Sequence, residues 1–216
     1  MNSGLRITLV TTAVQQRRLA DLQGAFATVC NTLAPIARES RCWNRVALHH
    51  MVYKALRQKY PELGSQMVCN AIYSVSRACR AVYQHPSSPF NLGRLGHRPL
   101  PLLQFRPDSP VFFDRHTLSI KAGEVSMYTL DGRMRFRLDL SPEAETRFRN
   151  DKLREIVLSS AASRFILNFT FAESYEGGEL PTTPLSPDLP EYLIVTESAA
   201  TAEPIAFTPA QARMPS

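Results

Sequence analysis

The sequence of 216 residues has no apolar run long enough to cross a bilayer, which takes about 18 or more consecutive apolar residues. Its N-terminus, MNSGLRITLV, has one arginine and no small-residue cleavage site behind a long apolar stretch, so it does not resemble a secretory signal. The four cysteines form no C-x-x-C pair. We therefore expect a cytoplasmic protein that has no membrane partner and keeps its thiols reduced.

Motifs that mark common catalytic and cofactor sites are also missing. The sequence has no H-E-x-x-H zinc motif, no glycine-rich phosphate loop and no G-x-S-x-G element. His49 and His50 are neighbours on a predicted helix, where their side chains diverge by about 100° and do not easily share a metal ion. Acidic residues fall mainly in predicted turns and in the C-terminal segment. We expect no catalytic residue, no metal site and no cofactor.

Negative charge is scarce in the first part of the chain. Residues 1–100 contain 13 lysines and arginines against 3 acidic residues, whereas residues 173–216 contain 1 against 7. The formal net charge of the whole chain is +6. Positive charge concentrated in one region favours a polyanionic partner, and nucleic acid is the commonest one in the cytosol. The alternative is a basic surface that is only solvated.

Apolar residues recur at helical spacing through the first 85 residues. Thr12 and Gln15 have the spacing of a capping box, which predicts a helix that begins there and bends or ends near Pro35. Asn44 and Ser65 are the predicted N-caps of a second and a third helix. One side of the second helix is expected to carry Val46, His49, Val52, Tyr53 and Leu56.

Period-two alternation predicts strands from residue 110 onward and at residues 5–10. The early strand has no neighbour in sequence, so it must pair with a later one. Asp131 and Gly132 form a predicted hairpin turn, and Ser141 is the N-cap of a short helix. We predict an α+β fold, a small antiparallel β-barrel with a three-helix insertion after its first strand. The predicted parts are 1–12 (first barrel strand), 13–85 (helical lobe), 86–109 (basic connector), 110–172 (barrel) and 173–216 (proline-rich acidic linker and tail).

One predicted strand carries a row of arginines. Alternation places Arg133, Arg135 and Arg137 on one face and the apolar residues between them on the other. Guanidinium groups about 6.6 Å apart along a strand can follow a row of phosphates. The alternative is a solvated face whose charges protect a sheet edge.

Basic and aromatic residues are interleaved near the end of the second helix, a pattern found on nucleic-acid surfaces. This patch consists of Tyr53, Lys54, Arg57, Lys59 and Tyr60. On the third helix, the basic surface continues with Arg77 and Arg80. We interpret the lysines and arginines of both helices, with those of the strand, as candidate RNA-binding residues. A solvated helix face is an equally common explanation.

Several short motifs occur in a distinctive order. Residues 44–57 read NRVALHHMVYKALR, and they are followed by Tyr60-Pro61 and by SQMVCNAI at 65–72. This stretch resembles the N-terminal recognition part of the TnpB proteins of insertion sequences, RNA-guided nucleases related to type V CRISPR effectors. The motifs VFFD at 111–114, TLSI at 117–120 and LDGR at 130–133 resemble the wedge domain of that family, and RFILNF at 164–169 resembles the strand before its nuclease domain. The resemblance covers about residues 5–172.

The chain departs from that family after residue 172. The family's RuvC-like domain, with its catalytic Asp and Glu residues, is replaced here by a proline-rich acidic segment, and the four-cysteine zinc module is absent. The resemblance implies a non-catalytic protein that binds a structured guide RNA. It also implies that Tyr53, Gln66 and Asn70 contact a short duplex DNA motif, and that cleavage is either lacking or supplied by a partner nuclease or effector chain.

A protein–protein adaptor or regulatory subunit with incidental basic charge is a different class of function that the sequence also allows. In that case, the acidic tail or an exposed helix face would dock another subunit. Residues 173–216 contain seven prolines and few large apolar residues, so they cannot fold alone. We expect this segment to cover a surface of the barrel, to bind a partner, or to be an inert appendage.

Overall fold

The structure is a computed structural model that describes residues 3–121, 123–138, 140–162, 164–172 and 189–197. Most of the acidic tail, including residues 173–188 of the predicted linker, lies outside the described residues. The elements are β1 (Ser3–Thr8), α1 (Ala13–Glu39), α2 (Arg45–Lys59), α3 (Ser65–Tyr83), the short α4 (Leu92–Leu95), β2 (Leu102–Phe105), β3 (Val111–Phe113), β4 (Leu118–Lys121), β5 (Glu124–Thr129), β6 (Gly132–Arg137), α5 (Pro142–Asn150), β7 (Lys152–Ala161), β8 (Arg164–Ala172) and β9 (Leu193–Thr196).

The first two helices begin as their sequences predict. The Thr12 hydroxyl accepts from the Gln15 backbone nitrogen at 3.3 Å, and the Gln15 side chain accepts from the Thr12 nitrogen at 2.9 Å, which completes the capping box. The Asn44 side chain caps α2. The predicted cap of α3 is wrong, because Ser65 is its first helical residue and the N-cap is Gly64, which offers no side-chain bond.

Two other local predictions for the helices are correct only in part. α1 is not ended by Pro35 but continues through it to Glu39. On the predicted side of α2, Val52 and Leu56 are buried, but Val46 is 63% exposed and Leu48 is buried in its place. The buried Leu48, Val52 and Leu56 recur every fourth position, which gives α2 a narrow contact stripe and leaves a wide face outside.

The strands form three antiparallel sheets, in the orders β1-β8-β7-β3, β2-β9 and β4-β5-β6. The predicted pairing of the first strand with a later one is confirmed, since Ser3 lies opposite Phe171. No barrel closes among the described strands, and the predicted barrel is corrected accordingly. One reason is local: after the three-residue β3, the Asp114 carboxylate accepts from the backbone of His116 and Thr117. This turn sends the chain into a separate sheet.

A single cluster of buried residues extends from the helices into all three sheets. Its largest fully buried side chains are Tyr83, Phe26, Phe169, Phe171, Leu19, Leu22, Leu33, Leu48, Leu56, Leu63, Met67 and Ile72. β9 joins this core through Leu193, so part of the segment after residue 172 belongs to the packed fold. None of the helices in the described ranges is long and apolar enough to cross a membrane.

Two amide side chains of α1 fasten this helix to β2 and to the turn that precedes β3. Gln23 of α1 donates to the carbonyls of Asp108 and Ser109, at 3.1 and 3.2 Å. Asn31 of α1 both donates to the carbonyl of Phe105, at 2.9 Å, and accepts from its nitrogen, at 2.6 Å. These bonds satisfy backbone groups of β2 and of the turn after it, and they fix how α1 sits against them.

Candidate nucleic-acid interface

The three arginines of β6 lie on the outer face of the β4-β5-β6 sheet. Arg133, Arg135 and Arg137 are exposed, whereas Met134 and Phe136 between them are buried. The predicted division of the two faces is therefore confirmed. β6 is an edge strand, so this arginine face has solvent both above it and beside it.

The arginines of this face differ in how they are held. Arg133 donates to the Ser126 hydroxyl at 2.9 Å, to the Ser126 carbonyl at 2.6 Å and to the His116 carbonyl at 3.2 Å. Arg135 forms an exposed ion pair with Glu124 at 3.5 Å, a type of contact that contributes little to stability. In the described ranges Arg137 makes no ion pair. Two of the three guanidinium groups are thus available to an anion, beside one that is fixed by its neighbours.

The basic residues of the α2 patch also differ in whether they are free on the surface or held by hydrogen bonds. Lys54 and Lys59 are exposed, and the ammonium group of Lys59 lies 5.5 Å from the ring centre of Tyr60. Arg57, by contrast, donates to the carbonyls of Tyr60 and Leu63. It therefore closes the turn that follows α2, a role that a helical pattern does not reveal.

The residues expected to contact DNA lie at different depths. Tyr53 is half-buried and stacks on His49, with ring centres 4.6 Å apart. Gln66 is half-buried in the first turn of α3. Asn70 is only 6% exposed, and its amide donates to the carbonyl of Phe112 at 3.0 Å. The structure thus gives Asn70 a packing role, since its amide already satisfies a buried strand carbonyl.

Arg77 has an internal partner. Its guanidinium forms an ion pair with Glu155 of β7, and the Tyr73 hydroxyl donates to the same carboxylate at 3.1 Å. The guanidinium also lies 5.5 Å from the ring centre of Phe112. Arg77 therefore joins α3 to the four-stranded sheet and is not part of the exposed arginine face.

A tyrosine connects the sheet to the α2 patch. Tyr128 lies directly opposite Arg133, and its hydroxyl accepts from the Gly64 nitrogen at 2.9 Å and donates to the Glu62 carbonyl at 2.9 Å. The turn between α2 and α3 therefore rests on the same sheet that carries the arginines. Sequence reasoning missed this contact because 64 residues separate its partners.

Arg80 lies in a groove formed by the α1–α2 junction and the last turn of α3. Arg41 and Arg45 line the same groove, and we call this feature the arginine groove. It occupies about 550 Å³. The sequence singled out Arg80 but not the other two arginines, because three separate elements bring them together.

No group of three or more histidine, cysteine or acidic side chains within the described ranges is arranged to hold a metal ion. The rings of His49 and His50 meet edge to face, with centres 5.8 Å apart. All four cysteines are unpaired. Burial raises the pKa of the Cys79 thiol to about 12, and burial also raises the pKa of the Cys30 thiol, which suits core packing rather than nucleophilic chemistry.

No protein-family model matches this chain, and no curated protein sequence matches it.

Proposed function

We propose that this protein is a non-catalytic RNA-binding protein that holds a structured guide RNA on the outer face of the β4-β5-β6 sheet. The observation that supports this proposal is the exposed arginine face, on which Arg135 and Arg137 project from an edge strand. The resemblance of residues 5–172 to the recognition and wedge parts of TnpB proteins favours the same function.

The geometry of this face suits a phosphate backbone. Side chains on one face of a strand repeat at about 6.6 Å, so successive guanidinium groups can bind neighbouring phosphates. Arg133 is held by its bonds to Ser126 and His116, so it adds a fixed positive charge beside the two guanidinium groups that are available. Lys54 and Lys59 extend the basic surface across the turn that Tyr128 holds.

In the wider proposal, the bound RNA pairs with DNA and delivers the sequence specificity, as in RNA-guided effectors. The half-buried Tyr53 and Gln66 remain the candidates for contact with a duplex motif. Cleavage, if it takes place, is supplied by a separate nuclease or effector chain. Arg57, Arg77 and Asn70 support the fold that presents this surface.

The test is the salt dependence of binding to the RNA that is recovered with the protein from its native host. Replacing Arg135 and Arg137 by Gln should weaken binding and reduce the slope of log affinity against log salt by about 0.7–0.9 for each lost phosphate contact. The matched control replaces two exposed arginines outside this sheet, Arg94 and Arg98, by Gln.

The control pair should weaken binding much less, although it removes the same charge. Equal effects of the two pairs would show that net charge alone attracts the RNA. If no RNA is recovered and none binds, the proposal fails, and a protein partner captured in its place would favour the adaptor function.

A further inference from the structure

The arginine groove is separate from the arginine face and has its own chemistry. Arg41 follows the end of α1, Arg45 is the first residue of α2, and Arg80 is in the last turn of α3. No acidic residue lines the groove. Arginines from three parts of the chain therefore line one groove that has no acidic residue in its lining.

These charges have no ionic partner among the described residues. None of the arginines that form ion pairs among the described residues lines the groove. The arginines in those ion pairs are Arg18, Arg38, Arg77, Arg106, Arg135 and Arg147. Arg45 instead lies over the ring of Tyr73, with 5.3 Å between its guanidinium carbon and the ring centre. This contact leaves the charge of Arg45 unneutralised, beside a ring that does not itself line the groove.

The backbone of Arg41 adds a second observation. Its φ of 48° is in the left-handed region, at a helix end where glycine is usually found. The Cys42 nitrogen reaches back to the Ala37 carbonyl at 3.1 Å, which completes this helix ending. An arginine in this conformation destabilises the fold relative to glycine, so the side chain is best explained by a role other than folding.

We propose that the arginine groove binds a phosphomonoester, the group shared by free nucleotides and the 5′ end of an RNA. A phosphomonoester carries a charge of about −1.5 to −2 at neutral pH, whereas each diester of a nucleic-acid backbone carries −1. Planar guanidinium groups match phosphate oxygens with paired hydrogen bonds, so three arginines in a compact groove suit the more highly charged group. The proposal does not depend on RNA binding by the sheet.

The experiment titrates the full chain with inorganic phosphate and with adenosine 5′-monophosphate by calorimetry. Arg45→Gln and Arg80→Gln should each weaken binding about tenfold or more, the usual effect of removing one charge-assisted hydrogen bond. The double change of Arg135 and Arg137 to Gln should leave this binding unchanged. If that double change lowers RNA affinity and phosphate binding together, the two sites are not separate and the proposal is overturned.

Two RNAs of one sequence, with a 5′-phosphate or a 5′-hydroxyl, distinguish the sources of the ligand. A preference for the phosphorylated RNA that Arg80→Gln abolishes assigns the groove to an RNA end. Binding of the nucleotide with no such preference assigns it to a free nucleotide. Absence of binding by inorganic phosphate, the nucleotide and the RNA end overturns the proposal.

Arg41→Gly separates binding from folding. It should weaken phosphate binding while it raises the midpoint of thermal unfolding, because glycine suits the left-handed backbone. Ala162→Gly is the matched control, since Ala162 has a φ of 47° outside the groove and should affect only the unfolding midpoint.

Alkylation gives an independent readout. Cys42 lines the groove, so saturating phosphate should slow its reaction in the wild type and much less in Arg80→Gln. Unchanged phosphate binding in Arg41→Gly, Arg45→Gln and Arg80→Gln would contradict the proposal.

Discussion

The hydroxyl oxygen of Tyr128 lies 2.9 Å from the backbone nitrogen of Gly64 and accepts its hydrogen bond. A Cβ atom at Gly64 would lie 3.2 Å from Cε2 of the same ring, so the glycine lets the tyrosine approach this closely. Through this contact, β5 holds the turn between α2 and α3. The phenol group of Tyr128 therefore ties the turn beside the α2 patch to the sheet that carries the arginine face.

Tyr128→Phe should lower the free energy of unfolding by about 1 kcal/mol, because it removes the bonds to Gly64 and Glu62 but keeps the ring. Urea unfolding measures this change. Tyr53→Phe is the control and should stay within about 0.5 kcal/mol of the wild type, since that hydroxyl has no hydrogen bond within the described residues. A Tyr128→Phe variant as stable as the control would show that the turn is held by other contacts.

Arg77 and Glu155 provide the second prediction. Because both side chains are largely buried, Arg77→Gln should lower the free energy of unfolding by about 1.5–3 kcal/mol while RNA affinity in the folded protein is kept. Replacing the pair together by Met and Leu should restore much of the stability, since no unpaired charge is then left inside. The measurements are urea unfolding and RNA binding at one salt concentration. Lower RNA affinity in a stable Arg77→Gln variant would show that Arg77 belongs to the RNA interface.

Alkaline pH should destabilise the protein through Tyr192. Burial raises the pKa of this phenol to about 12, from an ordinary value of 10.0. Between about pH 10 and 12, the unfolded chain loses a proton that the folded protein keeps, so the free energy of unfolding falls as the pH rises. Urea unfolding at about pH 9 and about pH 11 should show this fall, and Tyr192→Phe should make it smaller. An equal fall in both proteins would mean that Tyr192 does not contribute.

Truncation tests the role of the segment after residue 172. Removing residues 176–216 takes away β9 and with it the buried Leu193, and it uncovers the buried side chains of Leu103 and Phe105 on β2. We expect the free energy of unfolding to fall by a few kcal/mol, the scale of burying two or three apolar side chains. Removing only residues 198–216 keeps β9 and should lower the free energy of unfolding less. Equal stability of the two truncations would show that β9 does not stabilise the fold.

Much of the site was predictable from the sequence where one element determines it. The exposure of Arg135 and Arg137 follows from period-two alternation, because a shift of one residue would bury charges and expose Phe136. The internal roles of Arg57 and Asn70 were not predictable in this way. The carbonyl that Asn70 satisfies is 42 residues away, and periodicity carries no information on such a partner.

The sequence by itself determined the α+β class, the capping box at Thr12, the presence of a hairpin between β5 and β6, and the two faces of β6. The turn of that hairpin is formed by Leu130 and Asp131 and not by the predicted Asp131 and Gly132. These features depend on side chains within a few residues of one another, whose spacing and backbone preferences act locally. The tertiary structure decided that the described strands form three sheets and not a barrel, that Arg77 pairs with Glu155, and that three arginines line one groove. These features depend on which distant segments pack together, and that choice is made by the free energy of burying the whole core.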